Sequence, residues 1–154
     1  MRSKIKNNNL PRHNTRRAVL MAMFAHQLGG ENDIAKLTEA VTTCGELTDP
    51  FPLDFFEELL KAAMERENFA DSIIVEVADN WELERISAVD RNILRIGIAE
   101  LLEFPSISPN VTLDEAVELA KEFGSAQSSK FVNGVLDAAL KKLIQMGLIT
   151  SKGE

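Results

Sequence analysis

The chain has 154 residues, one cysteine, two histidines and a formal net charge of −7, which is enough for one domain with a substantial core or for two small lobes. Cys44 alone excludes an internal disulfide framework or a multi-cysteine zinc site, and His13 and His26 leave a metal little to bind. The longest purely apolar run, Ala18 to Ala25, is far too short to span a membrane.

The charge is unevenly placed. Residues 1–30 hold Arg2, Lys4, Lys6, Arg12, Arg16 and Arg17 with no acid, a local +6, whereas residues 31–154 hold the other eleven bases and all 24 acids, or −13. A basic head on an acidic body points to an anion-binding N-terminus and a body that repels nucleic acid. A basic run before an apolar one imitates a secretory signal or a transit peptide. No A-x-A pattern follows, His26-Gln27 ends the run, and serine is sparse there, so Ala18 onward reads as a core helix.

In chain order, residues 1–11 read as a disordered basic tail, polar and rich in asparagine. Pro11 suits a helix start, and a helix over 12–28 turns apolar on nearly all sides from Val19 to Phe24 before Gly29-Gly30 stops it. A second helix fits 31–47, with Ile34, Leu37, Val41 and Leu47 inward. Asp49-Pro50-Phe51-Pro52 is a break, separating subdomains of about 12–49 and 52–147. A third helix, 53–68, carries the ladder Phe55/Phe56, Leu59/Leu60 and Ala63/Met64. A fourth, 70–82, carries Ile73, Ile74, Val77, Ala78 and Trp81, whose default role is core packing, with a partner surface as the functional reading. Ser87 with Asp90 opens a fifth over 88–103, closed by Phe104-Pro105.

The next helix is expected to start at Thr112, because Thr112 and Glu115 form a capping box. Its apolar stripe is Ala116, Val117, Leu119, Ala120 and Phe123, and Gly124 ends it. The last helix places Val132, Leu136, Leu140 and Leu143 on one line. Asn133-Gly134 would suggest a hairpin turn, but helical spacing on both sides overrides it. Gly134 inside a helix is expected to serve close packing against another helix. Residues 148–154 read as a flexible tail. No strand-type alternation occurs, so the chain is expected to be all-α.

Catalytic patterns are absent: no Gly-rich phosphate loop, no HExxH, no GxSxG. Acid pairs such as Glu57/Glu58 are ordinary solvated helix surface, and His26, ending an apolar helix, reads as a satisfied, half-buried side chain. Ligand chemistry is plausible at the basic head. Arg12 and Arg16 lie one helical turn apart on a shared face, flanked by His13 and Arg17. Guanidinium groups offer forked donors to phosphate and flat faces to bases, and single-stranded RNA presents both. A solvated basic helix end explains the same residues equally well.

Three segments are similar to the NusB family of transcription antitermination factors. The first is Arg12-His13-Asn14-Thr15-Arg16 with Val19, Ala22, Met23 and Phe24, set against a family opening of roughly R-R-x-A-R-x-x-A-x-x-x-L-Y. The second is the central run Val89-Asp90-Arg91-Asn92-Ile93-Leu94-Arg95-Ile96-Gly97-Ile98-Ala99-Glu100-Leu101. The third is Asp114-Glu115-Ala116-Val117-Glu118-Leu119-Ala120-Lys121 followed by Lys130-Phe131-Val132-Asn133-Gly134-Val135-Leu136-Asp137. The resemblance covers about 12–143.

That resemblance implies a bundle of about seven helices in two packed subdomains, a cytoplasmic factor, no cofactor and no enzymatic activity. It also implies a partner, the small-subunit ribosomal protein NusE, with which the pair binds boxA-type single-stranded RNA of the ribosomal leader and joins the RNA polymerase antitermination complex. Arg12, His13 and Arg16 stand at the family's RNA-binding arginine positions, and Lys130, Phe131 and Asn133 in the signature beside them. The reading requires these two patches to meet as a cradle for unpaired ribonucleotides. Phe24, Asp90 and Arg91 stand on the partner-facing side.

His13 and Asn14 replace family arginines, Thr15 replaces alanine, and Arg17 stands where an acid is common. A thinner positive patch is therefore expected, with weak RNA binding by the chain alone. A homodimer that buries the arginine face would gate RNA access. Two other readings compete: the accessory domain of a ribosomal RNA methyltransferase, which holds only if the chain is a fragment of a longer protein, and a helical protein-interaction module without RNA binding.

Overall fold

The computed structural model describes residues 2–43, 51–78 and 82–150, with the side chains of 2–11 excepted. Cys44, Leu47, Asp49, Pro50 and Trp81, each singled out in the sequence, lie outside the described residues. Seven α-helices and a 3-10 turn make up the described residues, with no strand among them. By its internal contacts the chain divides into two compact units, residues 1–61 and 62–154, the division falling inside the third helix rather than at the Pro-flanked break.

Unit 1 holds α1 (Arg2–Gly29), α2 (Ile34–Thr42) and most of α3 (Leu53–Glu65). The helix α1 runs from Arg2 to Gly29, with Pro11 inside it. A proline there gives up one backbone hydrogen bond. Ala18, Val19, Leu20, Ala22 and Met23 are buried, as the near-continuous apolar run predicts. Gly30, at φ 72°, donates its N–H to the His26 carbonyl at 3.0 Å and ends the helix in the left-handed region, where glycine is favoured. His26 Nδ1 donates to the Glu31 carbonyl at 2.8 Å, satisfying the ring as expected.

Asp33 caps α2 by accepting from the Ala35 N–H at 2.9 Å. Leu37 and Val41 are its buried residues. The hydroxyls of Thr38, Thr42 and Thr43 all bond back to carbonyls one turn earlier, a competition that weakens a helix end. The helix ends at Thr42 with Thr43 as its C-cap, and residues 44–47 of the expected span lie outside the described residues. In α3, Phe56, Leu59 and Leu60 are fully buried, and Phe51 meets Phe56 with ring centroids 5.4 Å apart.

Unit 2 contains the end of α3, α4 (Glu67–Val77), the 3-10 turn Leu83–Arg85, α5 (Ala88–Glu103), α6 (Pro109–Phe123) and α7 (Ser128–Gln145). Ser87 caps α5, its Oγ accepting from the Asp90 N–H at 3.1 Å. The helix α5 packs against α4, α6 and α7 and is buried on almost every side, as befits a core helix. Each fully buried side chain such as Ile93, Leu94 or Ile98 contributes about 1.5–3 kcal/mol. Two of its buried polar side chains are bonded inside the unit, Arg95 to α4 and Glu100 to α6. Arg95 holds Asp71 of α4 with two bonds, at 2.7 and 2.8 Å, and donates to Asn92 Oδ1 at 3.2 Å.

The start of α6 differs from the expected capping box. The helix begins at Pro109, whose fixed φ suits the first helical position. Thr112 is therefore one turn inside, buried, and its Oγ1 donates to Glu100 Oε2 of α5 at 2.6 Å. The threonine ties two helices together instead of capping one. The close-packing role expected of Gly134 falls to another glycine. A Cβ at Gly134 would meet nothing within 4 Å, whereas one at Gly97 would press on Leu136. The chain leaves α7 through Gly147 at φ 77°, with Gly147 N–H donating to the Ile144 carbonyl and Leu148 N–H to the Leu143 carbonyl, both at 3.0 Å.

Candidate nucleic-acid and partner interface

Arg12, His13 and Arg16 belong to unit 1, and Lys130, Phe131 and Asn133 to unit 2. On α1, Arg12 is exposed and His13 half-buried, while Arg16 is only 3% exposed. Asn14 and Thr15, two of the departures from the family pattern, are buried as well. They take less from the outer charge than their sequence positions suggest. The guanidinium carbons of Arg12 and Arg16 lie 5.6 and 5.5 Å from the centroid of one ring, that of Phe55 on α3, within cation–π range. Phe24 of α1 is half-buried.

Unit 2 presents a groove of about 640 Å³ where the start of α5 faces the α6–α7 link. Ile86, Val89, Phe123 and Phe131 give it apolar walls, and Arg85, Asp90, Gln127 and Lys130 supply polar groups. The link is drawn tight by one serine. Ser128, buried at the start of α7, accepts the Ser125 N–H on its Oγ at 2.9 Å. Gly124 allows this closure, because a Cβ there would stand 2.5 Å from Ser128 Cβ and 2.8 Å from the Ala120 carbonyl oxygen.

Asp90 is 8% exposed, and its Oδ1 has no hydrogen-bond partner among the described residues. A buried acceptor left open loses its hydration without compensation, a local cost to the fold. The Arg91 side chain turns away to the Leu83 carbonyl, at 3.1 Å, and does not line the groove. Asn133 is exposed on α7 and also lies outside it.

The groove thus joins Asp90, assigned from sequence to the protein partner, with Lys130 and Phe131, assigned to RNA. Two residues of interest were misjudged in the sequence. Phe123 was placed in the inward stripe of its helix, yet it is 38% exposed at the groove. Phe55 was placed in a core ladder, yet it is half-buried beneath two arginines. The doublet Phe55-Phe56 carried a usable signal: neighbours on a helix point about 100° apart, so both cannot occupy the centre of one apolar stripe.

The profile of the NusB family matches residues 13–141. The chain belongs to the NusB family. Among its relatives, the transcription antitermination protein NusB of Salinibacter ruber is 37% identical over 92% of this chain and 88% of its own length. That of Oleidesulfovibrio alaskensis is 34% identical over 96% of this chain and 97% of its own. The fold agrees with solved members of the family. A T. maritima NusB structure has a TM-score of 0.72 at 34% identity, covering 86% of this chain and 92% of that one. A complex of the antitermination factors NusB and NusE with dsRNA has a TM-score of 0.75 at 29% identity, covering 86% of this chain and 97% of that one. No helix among the described residues is long and apolar enough to cross a membrane.

Proposed function

We propose that this chain is an RNA-binding transcription antitermination factor that works with the ribosomal protein NusE and is not an enzyme. The observation that carries this reading is the family fold over nearly the whole chain, shared with a NusB solved in complex with NusE and RNA. In this reading the RNA is a boxA-type element of the ribosomal leader, and the assembly acts in the cytoplasm on RNA polymerase to keep ribosomal RNA transcription processive. Arg12 and His13 on unit 1, with the buried Arg16 behind them, and Lys130, Phe131 and Asn133 on unit 2 supply the RNA contacts. Asp90, Arg91 and Phe24 serve the protein partner.

Charge argues for a shared task. An acidic body of −13 over residues 31–154 repels RNA but attracts a basic ribosomal protein. RNA affinity therefore arises mainly in the complex, with the arginine end steering the strand. Self-association through the arginine face would hold the free chain in an RNA-silent form. Filter-binding titration tests the reading: boxA-like RNA should bind weakly to the chain alone and tightly once NusE is added. Tight, sequence-selective binding without NusE, or no gain on adding it, would refute the proposal.

A further inference from the structure

We infer that Phe55 is a positioning residue for RNA binding, its ring, shared with the buried Arg16, holding the exposed Arg12 guanidinium in a binding-ready arrangement. The inference rests on the proposal that the arginine end of α1 contacts RNA. Two cations one helical turn apart repel each other, and each arginine has many rotamers to lose when it is pinned by a phosphate. The shared aromatic face opposes both effects. Its negative quadrupole attracts each guanidinium at about the same separation, 5.6 and 5.5 Å.

The chemistry of the contact matters as much as its strength. A carboxylate in this place would also fix an arginine, but it would cancel the charge and occupy the in-plane N–H donors. Stacking engages only the flat face and leaves both the charge and the forked donors of the exposed Arg12 available. Acids are close in sequence on the same helix, at Asp54, Glu57 and Glu58. Even so, the Arg12 guanidinium sits over the Phe55 ring. The two arginines then divide the work. Arg12, exposed, reaches the strand, and Arg16, buried, sets the position of the ring and the local field behind it.

The test is a double-mutant cycle in the full chain with NusE, read as the affinity for a boxA-like single-stranded RNA. Phe55→Leu keeps apolar bulk and removes the π face, and it should weaken binding about three- to tenfold. Phe55→Tyr keeps the face and should restore affinity to within about twofold. In the Arg12→Gln background, Phe55→Leu should have much less effect, because there is no longer an outer cation to position. Equal effects of Phe55→Leu in both backgrounds, or a Phe55→Tyr chain as weak as Phe55→Leu, would reduce Phe55 to a packing residue. Should Arg12→Gln and Arg16→Gln leave RNA affinity unchanged, the arginine reading itself falls. If they weaken it while Phe55→Leu does not, only the present inference falls.

Discussion

Leu136 on α7 closes directly over Gly97 on α5: a Cβ built on Gly97 would stand 2.8 Å from Leu136 Cδ2 and 3.1 Å from its Cδ1. Leu136 is itself fully buried, so it has little room to yield. Gly97→Ala should gain about 1 kcal/mol of helix propensity and lose about 1–3 kcal/mol to overpacking. We expect a net destabilisation, seen as a lower denaturation midpoint. Gly134→Ala, with open space above it, should raise stability by roughly 0.5–1 kcal/mol. Equal shifts of the same sign in the two variants would contradict this account.

The Arg95–Asp71 pair joins α5 to α4 through two parallel bonds, with side-chain exposures of 6% and 19%. Asp71→Ala leaves a buried guanidinium short of its counter-charge, and we expect a loss of about 3 kcal/mol. Urea denaturation of the variant measures it. A loss under about 1 kcal/mol would mean that water replaces the carboxylate.

Thr112 and Glu100 make another polar tie between helices, α6 to α5. Thr112→Val is nearly isosteric and removes the hydroxyl, so it should cost about 2 kcal/mol, while Thr112→Ser should keep most of the stability. If Thr112 were a helix cap, serine and valine would differ by only about 1 kcal/mol and the Glu100 background would not matter. Repeating the pair in a Glu100→Gln chain separates the two cases.

On the RNA side, Arg12→Gln and Lys130→Gln should each weaken binding to the NusE complex and lower the slope of log affinity against log salt by about one. Both are exposed cations, so the fold should be unaffected. Unchanged slopes would remove these residues from the phosphate contacts.

Asp90→Asn discriminates partner binding from folding. Its Oδ1 lacks a partner among the described residues, and its charge in the first turn of α5 is worth only about 0.3–1 kcal/mol, so neutralising the group should lower thermal stability only slightly. Recovery of NusE in a pull-down should fall. A variant that melts earlier yet retains NusE fully would assign Asp90 to the fold.

Helices were legible where apolar spacing and stop signals agreed. The bounds of α5 follow from Ser87 at one end and Phe104-Pro105 at the other. They were misread where two local signals competed. Thr112 and Glu115 have the spacing of a cap, but Ser108-Pro109 had already begun the helix. Glycines show the deeper limit. Sequence places both Gly97 and Gly134 inside helices, and only the neighbouring helix decides which of them is crowded. The kinds of residue at the candidate site were readable, since arginines, a lysine and aromatics suit RNA. The grouping was not: Asp90 meets Lys130 and Phe131 only because α5 and α7 pack side by side. Phe55 and Phe123 were hidden for a related reason, lying at the margins of stripes whose centres were plain.

The uncrowded Gly134 has a consequence for anything that rests on α7. Stripped of even a methyl, the helix shows naked peptide to the solvent beside the Asn133 amide, and a sugar or a second polypeptide can settle there a carbon atom nearer than elsewhere along that surface. That exposed backbone costs the helix about 1 kcal/mol against alanine.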